Sequence, residues 1–361
     1  MDAYVHELVR RIREAGERYR DDVEAAKWTN EYLKSLRPVD TVYFGGGTPS
    51  LMSQRNLREL MGAIHAAFTV VDGAEITMEA NPAAVKREDL TVWAACGVNR
   101  LSLGAQSAHA EELKALGRLH RWEDVVQTVM DAREAGITNI NLDFMLGIPH
   151  QTSESLAETL RRALELSPGH LSAYTLMLEE GTPFYRRGRA ALGLPADEDT
   201  ADEEVVSLWE QACATLREAG YEHYEISNFA KEDCRSRHNL HTWQCRDYLG
   251  LGVAAHSCMD GVRLGNSRDL DAFLRGEDIT EFSETLTEDD RRMEFIMLGL
   301  RLSDGISEAE FSSRFGWDFW HEYGNTCIPF IQGGLLRRES GRVLLTEAGM
   351  PVSNTVIAAL I

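Results

Sequence analysis

The sequence predicts an α/β protein: a partial (β/α) barrel followed by a smaller α+β domain of winged-helix type. Two observations carry that prediction. Short apolar runs alternate with amphipathic stretches over the first 180 residues, and from Leu286 onward the pattern changes to helices that end in a hairpin. A third sets where the barrel begins. The chain opens in a helical stretch, Tyr4–Arg18, with no strand before it, so one β/α unit is expected to be missing at the start.

Strands are predicted at Thr41–Phe44, Glu75–Glu79, Arg100–Leu103, Asn139–Phe144 and Leu171–Leu176. The stretches between them, Gln54–Phe68, Lys86–Ala95, Glu123–Ala135 and Glu154–Leu166, have helical periodicity, and some end at glycines such as Gly97 and Gly136. Strands separated by helices of this length make βαβ units and a parallel sheet. Their number and even spacing fit a barrel or part-barrel as well as a doubly wound sheet. A Pro- and Asp-rich stretch, Gly188–Glu204, leads into a helix ending near Gly220, and His223–Asn266 reads as irregular. Helices follow at Asp289–Leu302, Ser307–Phe315 and Phe319–Phe330, then a hairpin, Leu335–Arg338 with Arg342–Leu345 around Ser340-Gly341, and a last helix. The resulting divisions are 1–187, 188–285 and 286–361.

Composition excludes several classes. The 361 residues carry a formal net charge of −21, which repels phosphate backbones and argues against nucleic-acid binding, in the C-terminal domain as elsewhere. That domain therefore reads as a structural or partner-docking cap. No apolar run approaches the ~20 residues that span a bilayer, and Met1–Arg20 lacks the apolar core of a signal peptide. A cytoplasmic protein that is not integral to a membrane is expected. Six cysteines are too few for a disulfide scaffold, and none stand as C-x-x-C.

In parallel β/α architectures functional groups collect at the C-terminal ends of the strands. The first predicted strand ends in Gly45-Gly46-Gly47-Thr48-Pro49, which could present backbone N–H groups to a carboxylate, phosphate or amino-acid moiety or could serve only as a turn. It lacks the lysine of a phosphate-binding P-loop. The next strands end at Glu79, at Gln106 and at Asp143. Each alone reads equally as a cap or a buried hydrogen bond. Together they line one rim with groups that can fork onto hydroxyls or an ammonium, and Arg118 could add a carboxylate clamp. Cys234, His238, His241 and Cys245, followed by His256 and Cys258, form the densest set of metal-ligating residue types, readable as a zinc or heme-iron site or as a buried polar loop.

The string Val42-Tyr43-Phe44-Gly45-Gly46-Gly47-Thr48-Pro49-Ser50 resembles the glycine motif of radical S-adenosylmethionine (SAM) enzymes, in particular the family of oxygen-independent coproporphyrinogen III oxidase and the heme chaperones. Glu79-Ala80-Asn81-Pro82, Asn99–Gln106, Gly117-Arg118-Leu119-His120, Asn141-Leu142-Asp143, Gly181-Thr182-Pro183 and Tyr224–Ala230 match that family in order, over essentially the whole chain. The resemblance implies a barrel of radical SAM type. It implies that Gly46, Gly47 and Thr48 meet the methionine amino end of S-adenosylmethionine, with Glu79 near its methionyl or ribose portion. Gln106 and Asp143 would take the ribose hydroxyls, Arg118 the methionine carboxylate, and the backbone near Met177 the adenine.

The family also implies a [4Fe-4S] cluster held by C-x-x-x-C-x-x-C between the first strand and first helix. No such run occurs here; the first cysteine is Cys96, and the ligands are expected upstream of Met1. A late-assigned start is the favoured account, with a shortened chain or a cluster-less paralogue as the others. His238-Asn239-Leu240-His241-Thr242-Trp243 resembles the H-N-x-x-Y-W signature of the heme-chaperone branch, with threonine in place of tyrosine. The expected function is thus heme binding and delivery to an acceptor protein of respiratory, membrane-associated type, with His238 or His241 as the iron contact. The alternatives are oxidative decarboxylation of coproporphyrinogen III and a cluster-less, non-catalytic binding protein.

Overall fold

The computed structural model describes residues 1–25, 38–177, 185–186, 192, 194 and 198–361, without the side chains of 19–25 and 198–202. The chain forms two compact units. One comprises Met1–Val42, Met52–Glu75 and Ser236–Ile361; the other comprises Tyr43–Leu51 and Ile76–Arg235. The Gly181-Thr182-Pro183 motif and much of the Pro- and Asp-rich stretch lie outside the described residues.

A seven-stranded open sheet dominates the fold. Its strands are β1 (Val39–Phe44), β2 (Val70–Ala80), β3 (Arg100–Gln106), β4 (Asn139–Leu146), β5 (His170–Thr175), β6 (Glu222–Glu225) and β7 (Asn228–Ala230), in the order β1-β2-β3-β4-β5-β7-β6. Strands β2 to β5 run parallel, and β7 and β6 close the series antiparallel. Helices Gln54–Ala67, Arg87–Ala95, Trp122–Glu134 and Ser153–Glu165 connect the first five strands where the periodicity places them.

Alternation along the strands separates two faces. Met78, Leu101, Leu103, Ile140, Leu142, Phe144 and Leu171 point to the helix side and are at most 1% exposed. Against them, Leu90 and Trp93, then Val125, Val129 and Ala132, then Leu156, Leu160 and Ala163 recur at helical spacing. Each fully buried side chain of this size contributes about 2 kcal/mol through its removal from water. The Ser153–Glu165 helix starts on a reciprocal cap in which the Thr152 hydroxyl accepts the Ser155 N–H, and the Ser155 hydroxyl accepts that of Thr152. The other face of the sheet is polar: Tyr43, Thr77, Glu79, Arg100, Ser102, Asn141, Asp143, His170 and Ser172 occupy the alternate positions.

In the first unit, helix Asp2–Ala25 lies along Gln54–Ala67 so closely that a Cβ at Gly16 would come within 2.6 Å of the Ala67 methyl. Tyr4 packs on Phe273 with ring centroids 4.7 Å apart. The stretch His223–Asn266, read from sequence as irregular, is in fact ordered. It supplies β6 and β7, helix Arg237–Trp243, and strands β8 (His256–Met259) and β9 (Val262–Asn266), which pair with β10 (Thr280–Thr285). These strands are three to six residues long and broken by polar side chains, so their periodicity is too short to register in the sequence. The C-terminal part packs helices Glu288–Gly299, Glu308–Phe315 and Phe319–Gln332 around Phe295, Phe311 and Phe319, beside a sheet of β11 (Ile306–Ser307), β13 (Arg342–Leu345) and β12 (Leu336–Glu339). The β12–β13 hairpin turns at Ser340-Gly341, both left-handed, as a tight two-residue turn requires.

Candidate functional site

The rim of the second unit is built from the C-terminal ends of β1 to β5. After β1 the chain passes through Gly46 and Gly47 at φ +73° and +55°, and a Cβ built on either meets no atom within 4 Å. A side chain at either position would point into open space, so the outer side of this loop is open to a ligand's polar end. Gly45 is glycine for another reason: a Cβ there would lie 2.6 Å from the Tyr43 ring and 3.1 Å from a Glu79 oxygen.

Glu79, half-buried at the end of β2, ties the loop to the sheet. The Gly46 N–H donates to Glu79 Oε2 at 3.0 Å, and the Tyr43 hydroxyl donates to Oε1 at 2.7 Å. Burial, with the Glu79 carboxylate next, pushes the Tyr43 hydroxyl pKa up, so tyrosine remains a donor and holds the carboxylate as acceptor. Below the loop, Ser50 accepts the Asn81 N–H at 3.3 Å, joining the Glu79-Ala80-Asn81-Pro82 motif to the glycine motif.

Asp143 on β4 sits in a hydrogen-bonded row across three strands. Asn141 Nδ2 donates to Asp143 Oδ1 at 2.7 Å, and the Ser102 hydroxyl donates to Oδ2 at 3.1 Å. Enclosure raises the Asp143 pKa above the ordinary carboxylate value, against the opposing pull of Asn141, Ser172, Ser102 and the Arg100 charge. The row continues through Asn141 Oδ1, which accepts from the Ser172 hydroxyl at 3.1 Å and from His170 Nδ1 at 2.7 Å. His170 Nε2 meets the Tyr224 hydroxyl, also at 2.7 Å. The neutral Nδ1–H tautomer satisfies both contacts, and burial holds the His170 pKa well below its usual value. Sequence reasoning found Asp143 and missed its supports; the signal was the polar alternation Arg100-x-Ser102, Asn139-x-Asn141-x-Asp143 and His170-x-Ser172.

Gln106 ends β3 in the left-handed conformation at φ +63°, and a Cβ at Gly104 would come 2.9 Å from its amide nitrogen. A non-glycine residue held there is backbone strain at the rim. The half-buried Arg118 follows Gly117 in a turn pinned by His120, whose Nε2 lies 3.1 Å from the Ala105 carbonyl at the end of β3. That anchor was also missed from sequence; burial lowers its pKa, as suits a neutral ring on a carbonyl. Met177, just past β5, is 78% exposed. The loop, Glu79 and Gln106 thus occupy the ends of three successive strands, whereas β4 runs on to Leu146 and leaves Asp143 within the strand; Arg118 lies in the turn between helices Ala110–Ala115 and Trp122–Glu134, and Met177 just past β5.

In the first unit, His238 and His241 lie on helix Arg237–Trp243. His238 Nδ1 is 3.0 Å from the Thr41 hydroxyl, and the N–H groups of Arg237 and His238 both donate to Glu75 at 3.0 Å. His241 Nε2 lies 3.4 Å from Asp40 and 3.3 Å from Arg246. Burial lowers the His241 pKa, partly offset by Asp40. Arg301 stacks on Trp243 at 4.5 Å. Among the described residues no three of His, Cys, Asp and Glu converge where a metal ion could be held, and all six cysteines are free thiols. Their spacing matches no cluster motif, so no residue of this chain is assigned to an iron–sulfur cluster. The glycine cradle, the anchored Glu79 and the Asp143 row do fit S-adenosylmethionine, which offers an ammonium, a carboxylate and ribose hydroxyls to such groups.

Comparison with known proteins agrees with this geometry. The Radical SAM superfamily pattern matches residues 6–163 and the HemN C-terminal domain pattern matches 286–352. The heme chaperone HemW of Bacillus subtilis (strain 168) is 33% identical over 342 residues, covering 92% of this chain and 88% of that protein. HemW of Escherichia coli (strain K12) is 36% identical over 285 residues, covering 78% and 73%. In fold, the chain superposes on coproporphyrinogen III oxidase (HemN) from Escherichia coli, a radical SAM enzyme, with a TM-score of 0.82, 23% identity, and coverage of 99% of this chain and 82% of that one. The expected half-barrel with a smaller C-terminal domain is therefore the observed fold, and this chain belongs to the HemW family of radical SAM proteins.

Proposed function

We propose that this chain binds heme and S-adenosylmethionine and transfers heme to an acceptor protein. The observation that carries the reading is the likeness to heme chaperones over nearly the full chain, joined to a rim whose glycine cradle remains open. In this reading Gly46, Gly47 and Thr48 receive the methionine amino end and Glu79 orients the loop while facing the methionyl or ribose portion. Gln106 and Asp143 take the ribose hydroxyls, Arg118 the carboxylate, and the backbone near Met177 the adenine. When bound, S-adenosylmethionine supplies a sulfonium group; the chain's own residues hold its polar ends and keep Asp143 fixed by Asn141 and Ser102.

His238 is the proposed iron contact. In the tautomer that donates Nδ1–H to Thr41, the ring's lone pair is on Nε2, the arrangement by which a hydrogen-bonded imidazole is oriented as a metal ligand. The acceptor in this reading is a respiratory, membrane-associated protein met from the cytoplasm. No described helix is long and apolar enough to cross a membrane. Heme titration of the protein followed by absorbance tests the assignment: His238→Ala should lose the bound-heme spectrum, and an unchanged titration overturns His238 as ligand. Anaerobic incubation with coproporphyrinogen III, S-adenosylmethionine and a one-electron reductant tests the oxidase reading, which formation of protoporphyrinogen IX would establish over the chaperone.

A further inference from the structure

The polar face of the sheet is not uniformly satisfied. Ser102, Asn141, Asp143, Ser172 and His170 bond to one another, but the neighbouring rung toward the strand N-termini does not. There Thr77 on β2 pairs with Arg100 on β3, and Arg100 pairs with Asn139 on β4. All three carry a buried polar atom with no hydrogen-bond partner: Thr77 Oγ1, Arg100 Nε and Asn139 Oδ1. Thr77 is fully buried and Arg100 is 2% exposed. No ion pair joins Arg100 to a carboxylate among the described residues.

A guanidinium stays charged at any ordinary pH, and a buried guanidinium N–H without an acceptor is strongly disfavoured. Asp143 on the same face attracts Arg100 through its charge, but no ion pair or hydrogen bond joins the two, and the Arg100 Nε–H stays without an acceptor. The three orphaned groups sit on successive strands about 4.8 Å apart, so a small ligand seated on the central Arg100 has Thr77 to one side and Asn139 to the other. A planar, two-oxygen anion matches the guanidinium fork, with the threonine hydroxyl as a further donor and the Asn139 oxygen left to a bridging water.

We propose that the Thr77–Arg100–Asn139 rung is a carboxylate-binding site on the concave face of the half-barrel. The site does not depend on the heme reading. The carboxylate is either a free small acid or a heme propionate, and the two are separable. Isothermal titration of the full chain with sodium formate, at constant ionic strength, should show saturable binding. R100Q should weaken it about tenfold or more, the loss of a charge-assisted fork, and T77V should weaken it less. Titration with heme and with heme dimethyl ester forms the second arm. If the propionate is the natural occupant, formate competes with heme, R100Q weakens heme, and the ester binds wild type and R100Q alike. If formate binds but leaves heme unaffected, the occupant is a free acid. Absence of formate binding to the wild type, together with equal affinity for heme and its ester, overturns the proposal. Should R100Q fail to fold, T77V decides the location: formate affinity unchanged by T77V overturns it.

Discussion

The glycine loop after β1 and the histidine helix Arg237–Trp243 are both dense in residues that bind ligands, but they spend their polar groups differently. In the loop, the backbone at Gly46 and Gly47 borders open space, and the single carboxylate nearby braces the loop from beneath. In the helix, His238 is held by Thr41 and Glu75, and His241 by Asp40 and Arg246. A count of ligand-type residues would rank the helix first. What separates a cradle from a packed polar segment is which groups the protein has already satisfied.

The largest expected effect tests the loop. Gly47→Val places a β-branched residue at φ +55° and fills the open space, and S-adenosylmethionine affinity measured by titration calorimetry should fall about 100-fold from strain and steric exclusion together. Normal affinity in that variant would remove the distinction between the two regions.

Next comes the support beneath the rim. His170→Phe leaves the Asn141 oxygen and the Tyr224 hydroxyl each without a partner, and urea unfolding should show a loss of about 2–4 kcal/mol. The pH dependence has a definite sign. Because the folded His170 pKa lies well below 6.5, the unfolded chain takes up the proton first. The stabilisation is fully present above that value and is lost as pH falls through the window below it; the phenylalanine variant should lack this component.

Asp143→Asn should weaken S-adenosylmethionine about tenfold, through loss of a charged acceptor. Its linkage runs the other way. With the folded pKa raised above the ordinary 3.8, the native state holds the extra proton, so stability falls as pH rises through that interval. Asparagine should flatten that fall, seen in thermal unfolding between acid and neutral pH. The smallest effect sharpens the histidine side: Thr41→Val should cost about 1 kcal/mol in unfolding free energy and speed heme release, measured by transfer to apomyoglobin.

Much of this protein was legible in the chain alone. The long elements came from periodicity and caps: strand-to-helix repeats through Thr175, the hairpin around Ser340-Gly341, and the rim residues Glu79 and Gln106 from their place after apolar runs. Less legible were β6 to β9, which are short, and the roles of Tyr43, His120 and Asn141, which depend on partners 15 to 39 residues away.

Sequence by itself determined the fold class, because period-2 and period-3.6 patterns are local and recur over many residues. It also placed the glycines, Glu79 and Gln106 at the strand ends of one rim, which follows from strand polarity, whereas β4 runs on to Leu146 and leaves Asp143 within the strand. Tertiary structure decided which polar groups are already paired and which are not: Glu79 bound to Gly46, His238 to Thr41, and Arg100 buried on a rung whose polar atoms lack partners. Hydrogen-bond satisfaction depends on the register between strands and on what covers each face, and neither is written in any single segment of the chain.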